Sequence, residues 1–365
     1  MIGNRPQFIK AAAVSPPLRR AHEEILVHTG QHFDDRLSAV FFAELGLAAP
    51  DRQLGIGLGS ATSQTSRMLA GLAPVLEAEL PEVVLVYGDT NSTLAGALAG
   101  AQAGVPVAHV EAGMRSFDRT MPEELNRVLV DHASSLLLCS TEGALANLRR
   151  ESVTGRAELV GDVMVDLAQA VQPTARERLD LVSARGLEPG GYVLATAHRA
   201  GNVDDPARLA RLVDLLAGVA GTAAPVLLPL HPRTEQRLRT AGLLERLHRA
   251  PGMIVTEPVG YFELTALLCN ARAALTDSGG LQKEAYLAGV RCITLRANTE
   301  WTETVDLGWN VLADLDLDLV LTELERPLPA AETAETARPP IYGDGHAGER
   351  VVQALTLLPM RVRDR

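Results

Sequence analysis

The sequence predicts an α/β fold built from two Rossmann-like domains with a cleft between them, and three observations support this. A chain of 365 residues, 47% of them hydrophobic, is too long for one typical core. Short apolar runs alternate with segments of helical length almost throughout, which is the pattern of parallel α/β layers. The charged stretch 173–191 ends in Glu-Pro-Gly-Gly and separates two such series, so we expect it to carry a linker.

The expected domains cover residues 1–170 and 190–345, and a last helix within 346–365 is expected to pack back on the first domain. Each apolar run predicts a buried parallel strand. In the first domain we expect strands at 24–28, 83–87, 105–110, 136–139 and 157–160, with helices at 35–45, 62–80, 90–103, 122–133 and 142–150. In the second domain we expect strands at 192–196, 226–230, 253–255, 273–275 and 292–295, with residues 326–340 as a connector.

The composition argues against several classes of partner. The formal net charge is −11, and an acidic chain without a basic run is a poor candidate for binding nucleic acid or an anionic membrane. The most apolar stretch, 212–230, contains Asp214 and Pro225, so it predicts a helix, a turn and a strand, not a membrane span. Arg5 and Lys10 interrupt any secretory signal. The three cysteines lack Cys-x-x-Cys spacing, which favours buried apolar packing in a reducing compartment.

Two acids follow neighbouring apolar runs of the first domain. Asp89 follows the run 83–87 in a Gly-Asp-Thr sequence, and Glu111 follows the run 105–110 in Val-Glu-Ala-Gly. Ligands of open α/β sheets bind outside the carboxyl ends of the strands, where acids on adjacent strands lie within roughly 5 Å laterally. This arrangement suits acid–base chemistry on a polyhydroxylated substrate. The alternative role for Asp89 is a helix N-cap.

Charged residues near these acids have both functional and structural interpretations. Glu123 and Arg127 are four residues apart, so they share one helix face. They either form an ion pair with no further role, or they belong to the same site as Asp89 and Glu111. Arg5 and Lys10 lie beside an expected helix start at Pro6, where cations and the helix N-terminus together form an anion site. The alternative is a solvated surface turn.

The second domain carries polar strand ends and a phosphate-binding pattern. His198 and Arg199 end its first expected strand, and a similar His-Pro-Arg sequence follows one unit later. The segment 276–284, Thr-Asp-Ser-Gly-Gly-Leu-Gln-Lys-Glu, follows an apolar strand and opens a helix. Its two glycines allow backbone N–H groups to approach a phosphate, and its helix dipole favours the charge. Valine in place of Gly280 is expected to block the approach of the backbone to a phosphate and to strain the turn. Glu284 can bind ribose hydroxyls or be a solvated surface acid.

Three other patterns are discounted. Residues 343–348 match the dinucleotide fingerprint by letter but follow two prolines instead of a strand, so they are expected to start the last helix. Residues 55–59 predict a loop. His28 and His32 have the spacing of a zinc pair, but that spacing aligns two ligands only on a helix, so no metal site is predicted.

Taken together, these segments resemble the non-hydrolysing UDP-N-acetylglucosamine 2-epimerase family. The resemblance runs from Gly3 to about Gly348 and is carried by segments 3–10, 29–32, 88–90, 109–115, 122–127, 198–199 and 277–284, and by Arg296 with Thr299-Glu300. It implies the GT-B-like architecture of many nucleotide-sugar glycosyltransferases, with the UDP-sugar in the cleft. It also implies inversion of the carbon that bears the acetamido group.

The resemblance assigns roles to individual residues. The implied catalytic residues are Asp89, Glu111, Glu123 and His198, of which the three acids form the acid–base group. The implied substrate-binding residues are Arg5, Lys10, Arg127, Arg199, Ser278, Gly279, Gly280, Glu284 and Arg296.

Two departures from the family pattern concern the start of the chain and the sugar. Family members begin with a full strand before Gly-x-Arg-Pro, whereas here only Met1-Ile2 precede Gly3. Arg-Pro-Gln-Phe-Ile-Lys, Gln-His-Phe-Asp-Asp and Thr-Glu-Trp resemble the branch acting on UDP-2,3-diacetamido-glucuronate. Activation by a second UDP-sugar is not carried over, because Asp34 departs from the uncharged residue expected there.

The expected reaction interconverts UDP-GlcNAc and UDP-ManNAc by anti elimination of UDP and its re-addition to a 2-acetamidoglucal, without cofactor or metal. Two other classes stay open: a GT-B glycosyltransferase using a UDP-sugar, and a nucleotide-sugar sensor without catalysis. Three carboxylates near a diphosphate argue against the sensor. We also expect a cytoplasmic homodimer that serves cell-surface polysaccharide biosynthesis.

Overall fold

The computed structural model describes residues 1–31, 42, 44–328 and 338–358. The chain divides into two compact units, Met1–Gln169 with Ile341–Arg365, and Ala170–Pro340. The division falls inside the helix Val163–Glu177, upstream of the whole stretch 173–191 that was expected to carry the linker. That stretch also contains the short helix Leu179–Ser183.

The first unit is built on a four-stranded parallel sheet in the order β3-β4-β5-β6. A separate parallel pair, β1 with β2, lies beside Ile2, which bridges to His28. The amino group of Met1 donates to the Leu85 carbonyl at 2.7 Å. The described strands are β1 (Val27–His28), β2 (Arg52–Gln53), β3 (Val84–Tyr87), β4 (Val107–Ala112), β5 (Leu136–Cys139) and β6 (Arg156–Leu159).

The helices of the first unit begin at clear capping signals. Thr90 caps one of them in a reciprocal capping box with Thr93, and Asn4 caps the first. The last helix packs against the first helix, and the Asp166 carboxylate accepts from its Ala347 and Gly348 N–H groups. The described helices are Arg5–Ala21, Ala61–Glu79, Asn91–Gln102, Pro122–Ala133, Glu142–Arg150, Val163–Glu177 and Ala347–Thr356.

The second unit is built on a six-stranded parallel sheet in the order β12-β11-β10-β7-β8-β9. Alternate residues of its first strand enter different apolar clusters, with Val193 and Ala195 in one and Leu194 in the other, so both sheet faces are buried. The strands are β7 (Val193–Thr196), β8 (Val226–Pro229), β9 (Met253–Thr256), β10 (Ala273–Thr276), β11 (Arg291–Thr294) and β12 (Asn310–Leu312). The described helices are Leu179–Ser183, Ala200–Val203, Pro206–Thr222, Pro232–Thr240, Leu244–Arg249, Tyr261–Cys269, Gly279–Ala288, Thr302–Asp306 and Leu317–Glu325.

Several local predictions are confirmed and several are wrong. The stretch 212–230 is a helix, a turn and a strand as predicted, and 55–59 is a loop. The strand expected at 24–28 has only two residues, and β2 and β12 were not predicted. The helix expected at 35–45 falls largely outside the described residues. Within the described part of the chain, none of the helices has the length and apolarity that crossing a bilayer requires.

The three cysteines are free thiols. Cys139 and Cys292 are buried as predicted, and burial raises the pKa of each thiol to about 12. Cys269 is half-buried, so the prediction of full burial is wrong for this residue.

Candidate active site

Glu111 has an unusual backbone conformation for a residue with a side chain, with φ at +73°. The pairing of β4 with β5 shifts register between Val110 and Ala112, so Glu111 is the extra residue of a β-bulge. It was expected just after the strand and instead lies inside it. Bulges and left-handed non-glycine residues recur beside active sites, because they aim one side chain away from the regular alternation.

The Glu111 carboxylate pairs with Lys10 from the first helix. Its Oε1 lies 2.9 Å from Lys10 Nζ, and the two side chains are only 10% and 8% exposed. The backbone that leaves β3 passes directly beside this pair, since an added Cβ on Gly88 would lie 3.1 Å from the Lys10 ammonium. Lys10, expected at an anion site with Arg5, is therefore an ion-pair partner of Glu111. Arg5 is the first residue of the helix and is half-buried.

Asp89 follows β3 and pairs with Arg127. The Nε and Nη2 atoms of Arg127 donate to Asp89 Oδ2 at 2.9 and 2.6 Å, and Asn126 donates to the Asp89 carbonyl at 2.9 Å. The alternative role of Asp89 as an N-cap is wrong, because Thr90 caps the helix. The first unit thus places Asp89 with Arg127, and Glu111 with Lys10, at the carboxyl ends of two adjacent strands.

Glu124 is a buried acid that was not among the predicted site residues. It accepts from Arg127 at 2.8 Å and from the Ser116 and Phe117 N–H groups at 2.9 Å each. Burial opposes its ionisation, but the hydrogen bonds from Ser116 and Arg127 outweigh burial and hold the pKa of this carboxyl below its ordinary value. Glu123, the predicted member of the acid group, is half-buried at the preceding position.

In the second unit, the buried carboxylate of Asp277 organises the loop after β7. It accepts from the His198 and Arg199 N–H groups at 3.0 Å each and from Asn202 Nδ2 at 3.1 Å. The His198 ring is 5.2 Å from the His231 ring, so the histidines that follow β7 and β8 lie together. The His198 side chain is 35% exposed, and it is thus available to a ligand.

The phosphate-binding pattern forms the expected strand, turn and helix. Ser278 is the N-cap of the helix Gly279–Ala288. An added Cβ on Gly280 would meet only the Ser278 hydroxyl, at 3.9 Å, so the Cβ of a substituted residue has room there. Gly279 differs, because an added Cβ there would lie 2.5 Å from Glu300 Oε1.

Glu300, which had no assigned role, brings two predicted ligand-binding arginines together. Its carboxylate lies 2.9 Å from Arg296 Nη2 and 3.6 Å from Arg199 Nη2, beside the first turn of the helix Gly279–Ala288. Glu284 lies further along that helix and is 8% exposed. The second unit therefore groups Arg199, Arg296 and the glycine turn around one carboxylate.

In the residues that the structure describes, no three His, Cys, Asp or Glu side chains lie close enough together to hold a metal ion. His32 lies outside the described residues.

A sequence model of the family described as UDP-N-acetylglucosamine 2-epimerase matches residues 18–356 of this chain. The chain belongs to this family. It is accordingly an enzyme, a UDP-sugar 2-epimerase of the isomerase class.

The similarity to individual family members extends over nearly the whole chain. The chain is 45% identical over 363 residues to the UDP-2,3-diacetamido-2,3-dideoxy-D-glucuronate 2-epimerase of Pseudomonas aeruginosa, covering 98% of this chain and 99% of the relative. It is 39% identical over 361 residues to the UDP-N-acetylglucosamine 2-epimerase of Methanocaldococcus jannaschii, covering 98% of each. The crystal structure of Methanocaldococcus jannaschii UDP-GlcNAc 2-epimerase with UDP-GlcNAc and UDP matches with a TM-score of 0.90, 39% identity and coverage of 97% and 98%. The predicted α/β, GT-B-like fold class is confirmed.

Proposed function

We propose that this epimerase interconverts UDP-GlcNAc and UDP-ManNAc by elimination and re-addition of UDP. The observation that carries the proposal is a pair of carboxylates at the carboxyl ends of adjacent strands, each held by a cation. Glu111 pairs with Lys10 at 2.9 Å, and Asp89 pairs with Arg127 at 2.6 Å. Inversion at C2 through a planar intermediate needs a base on one face and an acid on the other, which two fixed carboxylates supply.

The reaction balances without an oxidant or reductant. One carboxylate accepts the proton from C2, and the electrons of the C2–H bond form the C1–C2 double bond. The C1–O bond breaks at the same time, and UDP leaves with the electron pair of that bond. UDP then re-adds to C1 of the 2-acetamidoglucal while a proton reaches the opposite face of C2. Glu123 is proposed as a third acid–base group on the helix that also carries Arg127.

The leaving group needs charge stabilisation, because UDP departs as an anion. We assign this to His198, Arg5 and the first turn of the helix Gly279–Ala288, where Ser278 and the two glycines present a hydroxyl and backbone N–H groups. Arg199 and Arg296 are proposed as further phosphate contacts. Glu284 is proposed to bind ribose hydroxyls.

A second candidate sugar is UDP-2,3-diacetamido-2,3-dideoxy-glucuronate. The observation that favours it is the 45% identity to the Pseudomonas aeruginosa enzyme of that name. The same chemistry at C2 applies, so the two candidates differ in substrate and not in mechanism.

The test is incubation of the purified protein with each sugar nucleotide in separate tubes, followed by ¹H NMR of the anomeric region. Appearance of the C2 epimer identifies the substrate, and the rate with each sugar decides between the two. Asp89→Asn and Glu111→Gln are the control variants. Transfer of the sugar to an added acceptor, with no epimer formed, would support the glycosyltransferase and refute the epimerase.

We further propose a homodimer, a cytoplasmic location and a role in cell-surface polysaccharide biosynthesis. These three proposals rest on the family resemblance. Light scattering of the purified protein tests the first of them, and a monomeric mass at micromolar concentration would contradict it.

A further inference from the structure

A buried polar network lies next to the two proposed acid–base residues. His109 Nδ1 is 2.7 Å from Asp131 Oδ1, and Arg115 Nη1 is 2.8 Å from Asp131 Oδ2. The three side chains are no more than 1% exposed. Arg115 also donates to the Glu151 carboxylate at 2.7 and 2.6 Å. Burial opposes ionisation of Asp131, but the contacts with His109 and Arg115 outweigh it and lower the pKa of this carboxyl.

Both ring nitrogens of His109 lie within hydrogen-bond distance of an oxygen atom. Nδ1 is next to the Asp131 carboxylate, and Nε2 lies 2.7 Å from the Gly88 carbonyl oxygen. The network therefore links two basic side chains, His109 and Arg115, to two carboxylates, Asp131 and Glu151. A network in which the polar groups bind one another tolerates deep burial.

The network holds the residue before Asp89 and the residues on both sides of Glu111. The carbonyl that His109 binds belongs to Gly88, the residue before Asp89. Asp131 Oδ2 also accepts from the Gly113 N–H at 3.1 Å, so Asp131 binds the residues two before and two after Glu111. Glu111 sits in a left-handed conformation between these two anchors, a conformation that costs energy and persists only when its surroundings fix it.

We propose that His109 and Asp131 are positioning residues of the epimerisation, which fix Asp89 through the Gly88 carbonyl and Glu111 through both ends of its bulge. The proposal rests on the acid–base roles proposed for Asp89 and Glu111. Neither His109 nor Asp131 needs to touch the substrate. Their removal should therefore lower kcat and leave substrate binding nearly unchanged, because UDP is assigned to other residues.

The test compares Asp131→Asn and His109→Gln with a matched control. Each should lower kcat by about 10²-fold, the size expected when reacting groups are displaced by about 1 Å, with KM changed less than about threefold. The control is Glu323→Gln, which removes a charge from another buried pair. Glu323 lies 3.0 Å from Arg291 at the amino end of β11, with side-chain exposures of 9% and 4%. The Glu323→Gln variant should have a lower free energy of unfolding and an unchanged kcat.

Two readouts do not depend on activity. In ¹⁵N NMR of histidine-labelled protein, the His109 ring signals, identified by their loss in His109→Gln, should shift in Asp131→Asn, because the ring loses its carboxylate partner. In a crystal structure of Asp131→Asn, the distance from the His109 ring to the Gly88 carbonyl should lengthen and Glu111 should move.

An Asp131→Asn enzyme with kcat within about twofold of the wild type, or with Glu111 in its wild-type place, would overturn the positioning role. If the wild-type protein fails to epimerise either sugar, yet Glu111 is displaced in Asp131→Asn, the proposed function is refuted and the positioning of the bulge stands.

Discussion

Replacing Gly280 with alanine should change folding stability and UDP binding in opposite directions. Gly280 is the second residue of the helix Gly279–Ala288, and an added Cβ meets only the Ser278 hydroxyl, at 3.9 Å. Alanine therefore fits without a clash. It should stabilise the fold by about 0.4–1 kcal/mol, because it reduces the conformational entropy of the unfolded chain.

If the diphosphate binds at this turn as proposed, the same methyl group occupies the space through which a phosphate approaches the backbone N–H groups. A hydrogen bond to a charged group contributes roughly 1.5–3 kcal/mol. Loss of one such bond should raise the Kd for UDP by roughly 10- to 150-fold. The two effects are measured separately, by urea denaturation without ligand and by calorimetric titration with UDP.

Two other glycines serve as matched comparisons. Gly221 lies in the helix Pro206–Thr222, and an added Cβ there meets nothing within 4 Å, so Gly221→Ala should gain stability and leave the Kd unchanged. Gly279→Ala should lose stability, because its Cβ would lie 2.5 Å from the Glu300 carboxylate. If Gly280→Ala were as stable as Gly221→Ala and bound UDP within about twofold of the wild type, the diphosphate would not bind at this turn.

Three further predictions concern the carboxylates. Asp89→Asn and Glu111→Gln should each lower kcat by about 10²–10⁴-fold while UDP affinity changes far less, and near-normal rates with lost UDP binding would show that their roles are misassigned. Glu284→Gln should weaken the binding of UDP and leave the binding of pyrophosphate unchanged in calorimetric titrations, because Glu284 lies about 6 Å along the helix from Gly280. An equal loss of affinity for both ligands would exclude ribose binding by Glu284. The folded-state pKa of Glu124 lies below its ordinary value of 4.5. The ionised carboxylate therefore stabilises the fold fully above pH 4.5, and this stabilisation is lost as the pH falls through the folded-state pKa. The difference in free energy of unfolding between wild type and Glu124→Gln should therefore shrink as the pH is lowered. A difference that grows in acid would contradict a lowered pKa for Glu124.

Features with a local physical cause could be predicted from the sequence. The helices Pro122–Ala133 and Glu142–Arg150 have the predicted bounds, because a proline starts the first and the Thr141 side chain caps the second. The central strands of both sheets were found as apolar runs, since burial on both faces leaves a continuous signal. The strand Arg52–Gln53 has no such signal, because both of its residues are exposed.

Features that depend on packing between distant segments could not be predicted. The bulge at Glu111 appears only when β4 pairs with β5, and nothing in Val-Glu-Ala-Gly distinguishes a strand end from a left-handed residue. The contact between Glu124 and Arg127 depends on how their helix packs on the rest of the unit. His109 and Asp131 are 22 residues apart, and only the packed structure shows that they share a hydrogen bond.

The central claim is that carboxylates of this chain remove and return the proton at C2 while the C1–O bond is broken. The direct measurement is ¹H NMR of the reaction in D₂O, with no metal or nicotinamide cofactor added. The account predicts that one deuterium appears at C2 of the sugar in both epimers, and that the exchange is lost along with turnover in Glu111→Gln. Formation of the epimer with its C2 hydrogen fully retained from the substrate would contradict the elimination mechanism.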